Sequence, residues 1–180
     1  MPRRQNNAVD TSSKEVFTRI RTRAIAVFAL AISLSAAAGA FAVAGRNGAA
    51  PAVSRTALAQ QVDPVGAPGR TLGLSKVKIA PGAQIALHHH PGTQLAYIQR
   101  GVLTYTVRTG SVDVMRGAAD QSPKVVRTIG AGQTGKIRAG EWIVEQPSTI
   151  HQARNAGHKR VVILLATLFT NGSPPSLPDS

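Results

Sequence analysis

GAQIALHHHPGTQLAYIQRG, residues 82–101, is the stretch on which the fold turns. It holds two extended runs separated by Pro91-Gly92, a pair that punctuates a strand rather than continuing it. Alternate residues of an extended chain share a face, so His88 and His90 point together while His89 points away. Two imidazoles so placed are ligands for a first-row transition-metal ion, which needs further donors from elsewhere in the chain. Such donors are scarce: of the five histidines only His151 and His158 stand outside this run. His151 opens HQARN after an extended segment, whereas His158, between Gly157 and Lys159, reads as a solvated loop residue.

Outward from this stretch, short apolar runs alternate with turn signals from Arg70 to Thr170. LGLSKVKI is followed by Pro-Gly, QLAYI by Arg-Gly, VLTYTV by Arg-Thr-Gly, and KVVRTI by Gly-Ala-Gly, with VDVM, EWIVEQ and VVILLATLF completing the series. Eight or so strands without helical interruption predict an all-β closed barrel or sandwich. The composition agrees, since 17 Gly and 11 Pro in 180 residues supply many turns and disfavour long helices. The chain is long enough for one compact domain and one core, hardly for two.

The histidine stretch resembles the first motif of the cupin superfamily, G-x5-H-x-H-x3,4-E-x6-G: Gly82, His88, His90, Gln94 and Gly101 stand at the matching spacings. A second motif, G-x5-P-x-G-x2-H-x3-N, is matched by Gly140, His151 and Asn155, with Pro147 displaced by one position and Ser148 in place of glycine. The resemblance spans roughly Arg70 to Phe169. It implies a double-stranded β-helix, or jelly-roll, barrel with one divalent transition metal near its centre. Its implied ligands are His88, His90, Gln94 and His151, and Mn, Fe, Ni, Cu and Zn are not distinguished. The segment from Gly101 to Gly140 exceeds that of the smallest cupins and leaves room for an added hairpin around Gly117 to Ser122.

The chief departure is Gln94, where the motif carries Glu. A neutral amide oxygen binds more weakly than a carboxylate and leaves a divalent ion its full charge. The site is therefore expected to favour a small anionic or oxygenated ligand, such as a carboxylate, enolate or phenolate. Tyr97, Tyr105, Trp142 and Glu145 are candidates to line the pocket, although an aromatic on a barrel strand equally fits core and Glu145 equally fits a solvated face. Asn155 is expected to fix a turn. The absence of cysteine excludes disulfides, thiolate ligands and a Cys nucleophile. No Ser-His-Asp grouping, phosphate loop or dinucleotide fingerprint is identifiable. Two functions remain: a metal-dependent oxygenase, isomerase or lyase, or a non-catalytic barrel that binds or senses a small ligand around a structural metal. Barrel edges would also serve a homodimer.

The ends of the chain read as separate segments. Residues 1–23 hold six basic residues and precede Ala24 to Ala44, AIAVFALAISLSAAAGAFAVA, which carries no charge. This is the pattern of one apolar N-terminal helix serving as the h-region of a signal peptide or as a membrane anchor. Ala42-Val43-Ala44 and Ala57-Leu58-Ala59 have the form of cleavage sites. The charge asymmetry keeps the N-terminus inside, so the barrel is expected to be exported: periplasmic, extracellular or anchored outside the cytoplasm, with membrane contact only through 24–44. Residues 45–68 are expected as linker, 69–170 as the cupin domain, and 171–180 as a flexible tail. The net charge of +13 suggests nucleic acid, but from Gln60 onward the basic residues are scattered singly without interleaved aromatics, so no nucleic-acid partner is expected.

Overall fold

The computed structural model describes residues 51–180. The basic N-terminal region, the apolar segment 24–44 and the Ala42-Val43-Ala44 site lie outside the described residues. Twelve strands form: β1 (Val53–Val62), β2 (Arg70–Ile79), β3 (Gln84–His89), β4 (Gly92–Arg100), β5 (Val102–Thr109), β6 (Ser111–Arg116), β7 (Lys124–Gly130), β8 (Thr134–Arg138), β9 (Glu141–Glu145), β10 (Ile150–Arg154), β11 (Val161–Thr170) and β12 (Leu177–Pro178). Among the described residues a single 3-10 turn, Ala119–Gln121, joins β6 to β7 within the added hairpin expected there.

The strands build two antiparallel sheets, in the orders β1-β2-β11-β4-β9-β6-β7 and β12-β3-β10-β5-β8. Their inner faces share one core, with Ile79, Ile98, Ile143 and Leu165 from the larger sheet meeting Leu103, Val107 and Ile137 from the smaller. The period-2 pattern is clean in β4 and β11, where every second side chain is buried, as a sheet with one wet face requires. This is the all-β jelly-roll barrel expected from the sequence.

Two of its glycines are fixed by space and backbone. Gly101 closes the β4–β5 turn at φ 86°, a left-handed conformation that side chains disfavour, and a Cβ there would press on the Arg160 carbonyl. A Cβ on Gly92 would collide with the Leu168 carbonyl oxygen, so only glycine lets β4 approach β11 directly after the histidine run.

Two expectations for the ends need correction. Much of the expected linker 45–68 is strand: β1 pairs with β2 from Val53↔Ile79 to Val62↔Thr71. Its side chains are almost all exposed, so backbone hydrogen bonds to β2 hold it and no apolar period marks it in the sequence. Ala57-Leu58-Ala59 lies within this strand, at its register shift. The expected flexible tail 171–180 also returns to the barrel. Leu177 and Pro178 pair with His89 and His88, the Asp179 amide donates to the Leu87 carbonyl, and the Asp179 carboxylate accepts from His89 Nδ1 at 2.6 Å.

At the β9 start, Glu141 is wholly buried and accepts hydrogen bonds from Arg116 Nη2 (2.5 Å), from the Arg127 guanidinium and from the Arg138 backbone amide (2.8 Å). Burial opposes ionisation, yet these donors hold its carboxyl down to about 2, so the charge persists.

Candidate metal centre

β3 and β10 are neighbours, and their register sets His151 directly opposite His88. The ladder shifts on both flanks of His151, against β3 and against β5, the local irregularity by which a strand re-aims a side chain. His90 follows β3 and precedes the close approach at Gly92. The three imidazole centroids lie 4.3, 4.9 and 5.2 Å apart, and their candidate ligand atoms all fall within 4.8 Å of one another. On the facing sheet, β4 and β9 pair Gln94 with Glu145, and both side chains turn inward. All five residues are nearly inaccessible, with relative exposures of 8% for His88, 3% for His90, 4% for Gln94, 3% for Glu145 and 2% for His151.

Hydrogen bonding fixes the tautomers. His88 Nδ1 lies 2.7 Å from the Ala86 carbonyl, His90 Nδ1 2.9 Å from the Pro175 carbonyl, and His151 Nδ1 3.1 Å from the Thr149 carbonyl. A carbonyl oxygen only accepts, so each Nδ1 carries the hydrogen and each Nε2 presents a lone pair. Outer partners of this kind orient the imidazoles of metal sites. Burial, reinforced by the neighbouring His151, lowers His88 to about 4; burial also lowers His151. His88 is therefore neutral at ordinary pH and does not need to lose a proton before donating to a metal.

Glu145 lies among these lone pairs. Its Oε1 is 3.1 Å from His151 Nε2 and accepts from the Tyr105 hydroxyl at 2.9 Å, while its Oε2 is 3.4 Å from His90 Nε2. The Gln94 amide donates to Oε2 at 2.5 Å and approaches His90 Nε2 at 3.0 Å. Burial opposes the charge of this carboxyl, and the Gln94 amide and the Tyr105 hydroxyl donate to its ionised form. Tyr105 stacks on His151 with centroids 4.9 Å apart, and burial next to Glu145 raises its phenol above the usual range.

The sequence-predicted residues divide accordingly. His88, His90, Gln94, His151, Tyr105 and Glu145 converge. Tyr97 and Trp142 do not: they face each other across β4 and β9 on the outer face, where Tyr97 is 39% exposed and Trp142 Nε1 donates to the Gly117 carbonyl. Strand parity is the cause, since residues of odd separation cannot share a face with Gln94 or Glu145. The ligand set implied by the resemblance holds no carboxylate, and Glu145, one of the pocket candidates, places one among the histidines. His89 and His158 point away as expected, and Asn155 fixes its turn by donating to the Ile79 and Lys159 carbonyls and accepting from the Gly157 amide. Pro175 and Asp179 carry no sequence signal for their contacts with the histidine run.

The residues present suit a metal ion. Three imidazole nitrogens and one carboxylate form a hard-to-borderline donor set for a first-row divalent ion. Four acceptor atoms gathered in a buried site suit a cation among them. The buried Gln94 Oε1 has no hydrogen-bond partner in the protein, a further acceptor left to a cation or water.

No family model matches the sequence, and no curated protein matches it. The structure has solved neighbours that are cupin superfamily proteins. One from Desulfitobacterium hafniense is 18% identical, with 65% of this chain and 77% of that chain covered and a TM-score of 0.44. A cupin 2 domain-containing protein from Halorhodospira halophila is 16% identical over 71% of each chain, with a TM-score of 0.46. KdgF from a Halomonas species is 19% identical over 66% of this chain and 82% of that chain, with a TM-score of 0.44.

Proposed function

We propose that this chain is an exported metal-binding barrel of the cupin type, in which His88, His90 and His151 hold one divalent first-row transition ion that captures a small oxygen-donor ligand. The observation that carries this is the convergence of three buried Nε2 lone pairs, each imidazole oriented by a carbonyl at Nδ1. Three imidazoles do not fill the coordination of such an ion, and a remaining position accepts an oxygen from a small molecule. When bound, the ion supplies Lewis-acid polarisation of that oxygen. The protein's own contribution is to hold the imidazoles neutral and oriented in a nearly dry barrel, with the Tyr105 hydroxyl close by. Export rests on the uncharged segment Ala24 to Ala44 behind six basic residues.

A second function, an ion that chiefly stabilises the barrel, is favoured by the near-complete burial of the donors and by the tail bonded to the histidine run. One experiment addresses both. The full chain is expressed in a bacterium, the cells are fractionated, and the recovered protein is loaded with Mn, Fe, Ni, Cu or Zn in turn and assayed for metal. We expect recovery outside the cytoplasm and close to one ion per chain for at least one metal. A small carboxylate should then perturb the spectrum of the Ni- or Cu-loaded protein; an unperturbed spectrum selects the stabilising function. Undetectable metal after every loading would overturn both.

A further inference from the structure

We infer that the carboxylate of the metal site has moved across a strand pair: Glu145 on β9, rather than residue 94 on β4, gives the ion its anionic ligand, and Gln94 is a positioning residue that aims it. The inference deepens the function proposed above and rests on it. Three observations converge. Gln94 and Glu145 are direct register partners on adjacent antiparallel strands, and both face inward. Side chains directly opposite in such a pair have Cβ atoms roughly 5 Å apart, so two residues of equal length sweep the same space. An amide and a carboxylate can therefore exchange positions with little change in volume.

The second observation is the arrangement of acceptors. His151 Nε2 and His90 Nε2 are lone-pair atoms, since their Nδ1 hydrogens go to carbonyls, yet they face Glu145 oxygens at 3.1 and 3.4 Å. Acceptor facing acceptor in a buried site repels unless a cation sits between them. An ion drawn to the three imidazoles meets this carboxylate directly. The third is the support around Glu145. The Tyr105 hydroxyl donates to Oε1 at 2.9 Å and the Gln94 amide to Oε2 at 2.5 Å, so each oxygen is held by one donor and keeps lone pairs for a metal. Supported carboxylates of this kind are the form in which ligands are pre-oriented.

One consequence concerns selectivity. An anionic ligand reduces the charge of a bound divalent ion, so the expected pull on anionic molecules weakens and neutral oxygen donors compete better. The amide at position 94 becomes a support for a ligand instead of a weak ligand itself.

The test measures Zn(II) affinity of the full chain by competition with a chromophoric chelator, for the parent, Glu145→Gln, Gln94→Leu and the exchanged double variant Gln94→Glu/Glu145→Gln. Unfolding curves of the metal-free forms run alongside to separate folding from binding. We expect Glu145→Gln to weaken Zn(II) by about 100-fold and Gln94→Leu by about 10-fold, the range in which ligands and their oriented supports matter. The double variant should recover to within about 10-fold of the parent, a rescue that a merely structural pair does not give. A parent that binds while Glu145→Gln binds equally tightly overturns the inference and spares the three-histidine site. Loss in Glu145→Gln without recovery in the double variant overturns the exchange. A parent that binds no Zn(II) or any other loaded metal overturns the underlying function as well.

Discussion

His151→Ala is expected to reduce bound metal to about a tenth of the parent's or less, and to destabilise the metal-free barrel by about 3 kcal/mol. Its ring is 2% exposed and sits at the centre of the site, 4.3 Å from the His88 ring and 4.9 Å from Tyr105 between centroids. Truncation removes one Nε2 donor and opens a void against Tyr105 that the β10 ladder, already shifted on both sides of residue 151, cannot readily close. Metal analysis reads the first effect and denaturant unfolding of the chelated protein the second. His158→Ala is the control, because that residue is exposed and away from the site, and it should change neither.

The second large effect is at the opposite end of β9. Glu141→Gln should cost about 3 kcal/mol of stability without removing metal, since it breaks a buried carboxylate from Arg116, Arg127 and the Arg138 amide. The pH dependence has a definite sign. This carboxyl is held down to about 2, below its value in an unfolded chain, so its contribution is present at neutral pH and is lost as pH falls from about 4.5 through 2. The parent should therefore lose more stability than Glu141→Gln over that window. Subtracting the two curves removes the acid losses common to both proteins. Coincident acid unfolding of parent and variant would contradict the assignment.

The barrel is legible because short apolar runs bounded by turn signals recur along the chain; β4 and β11 are two of them, and their alternation appears only as burial, since outward positions such as Leu95, Tyr97 and Leu164 are apolar as well. β1 and β12 are not legible, because each lies at a sheet edge and is held through its backbone, a bond every residue type can make. The three histidines were legible from spacing within extended segments. Trp142 and Glu145 could not both line one pocket, since they stand three apart on one strand and so face opposite sides; strand parity separates them once β9 is placed. What parity cannot give is which strand lies next to β4. The pairing of Gln94 with Glu145 joins residues 51 positions apart, and only the folded sheet brings the missing carboxylate to the histidines.

The most direct measurement is a crystal structure of the Zn-loaded full chain with diffraction recorded on both sides of the zinc absorption edge. The three-histidine site predicts one anomalous peak at about 2.0–2.1 Å from the Nε2 atoms of His88, His90 and His151. A zinc peak bound elsewhere, with those three nitrogens turned away from any ion, would contradict it.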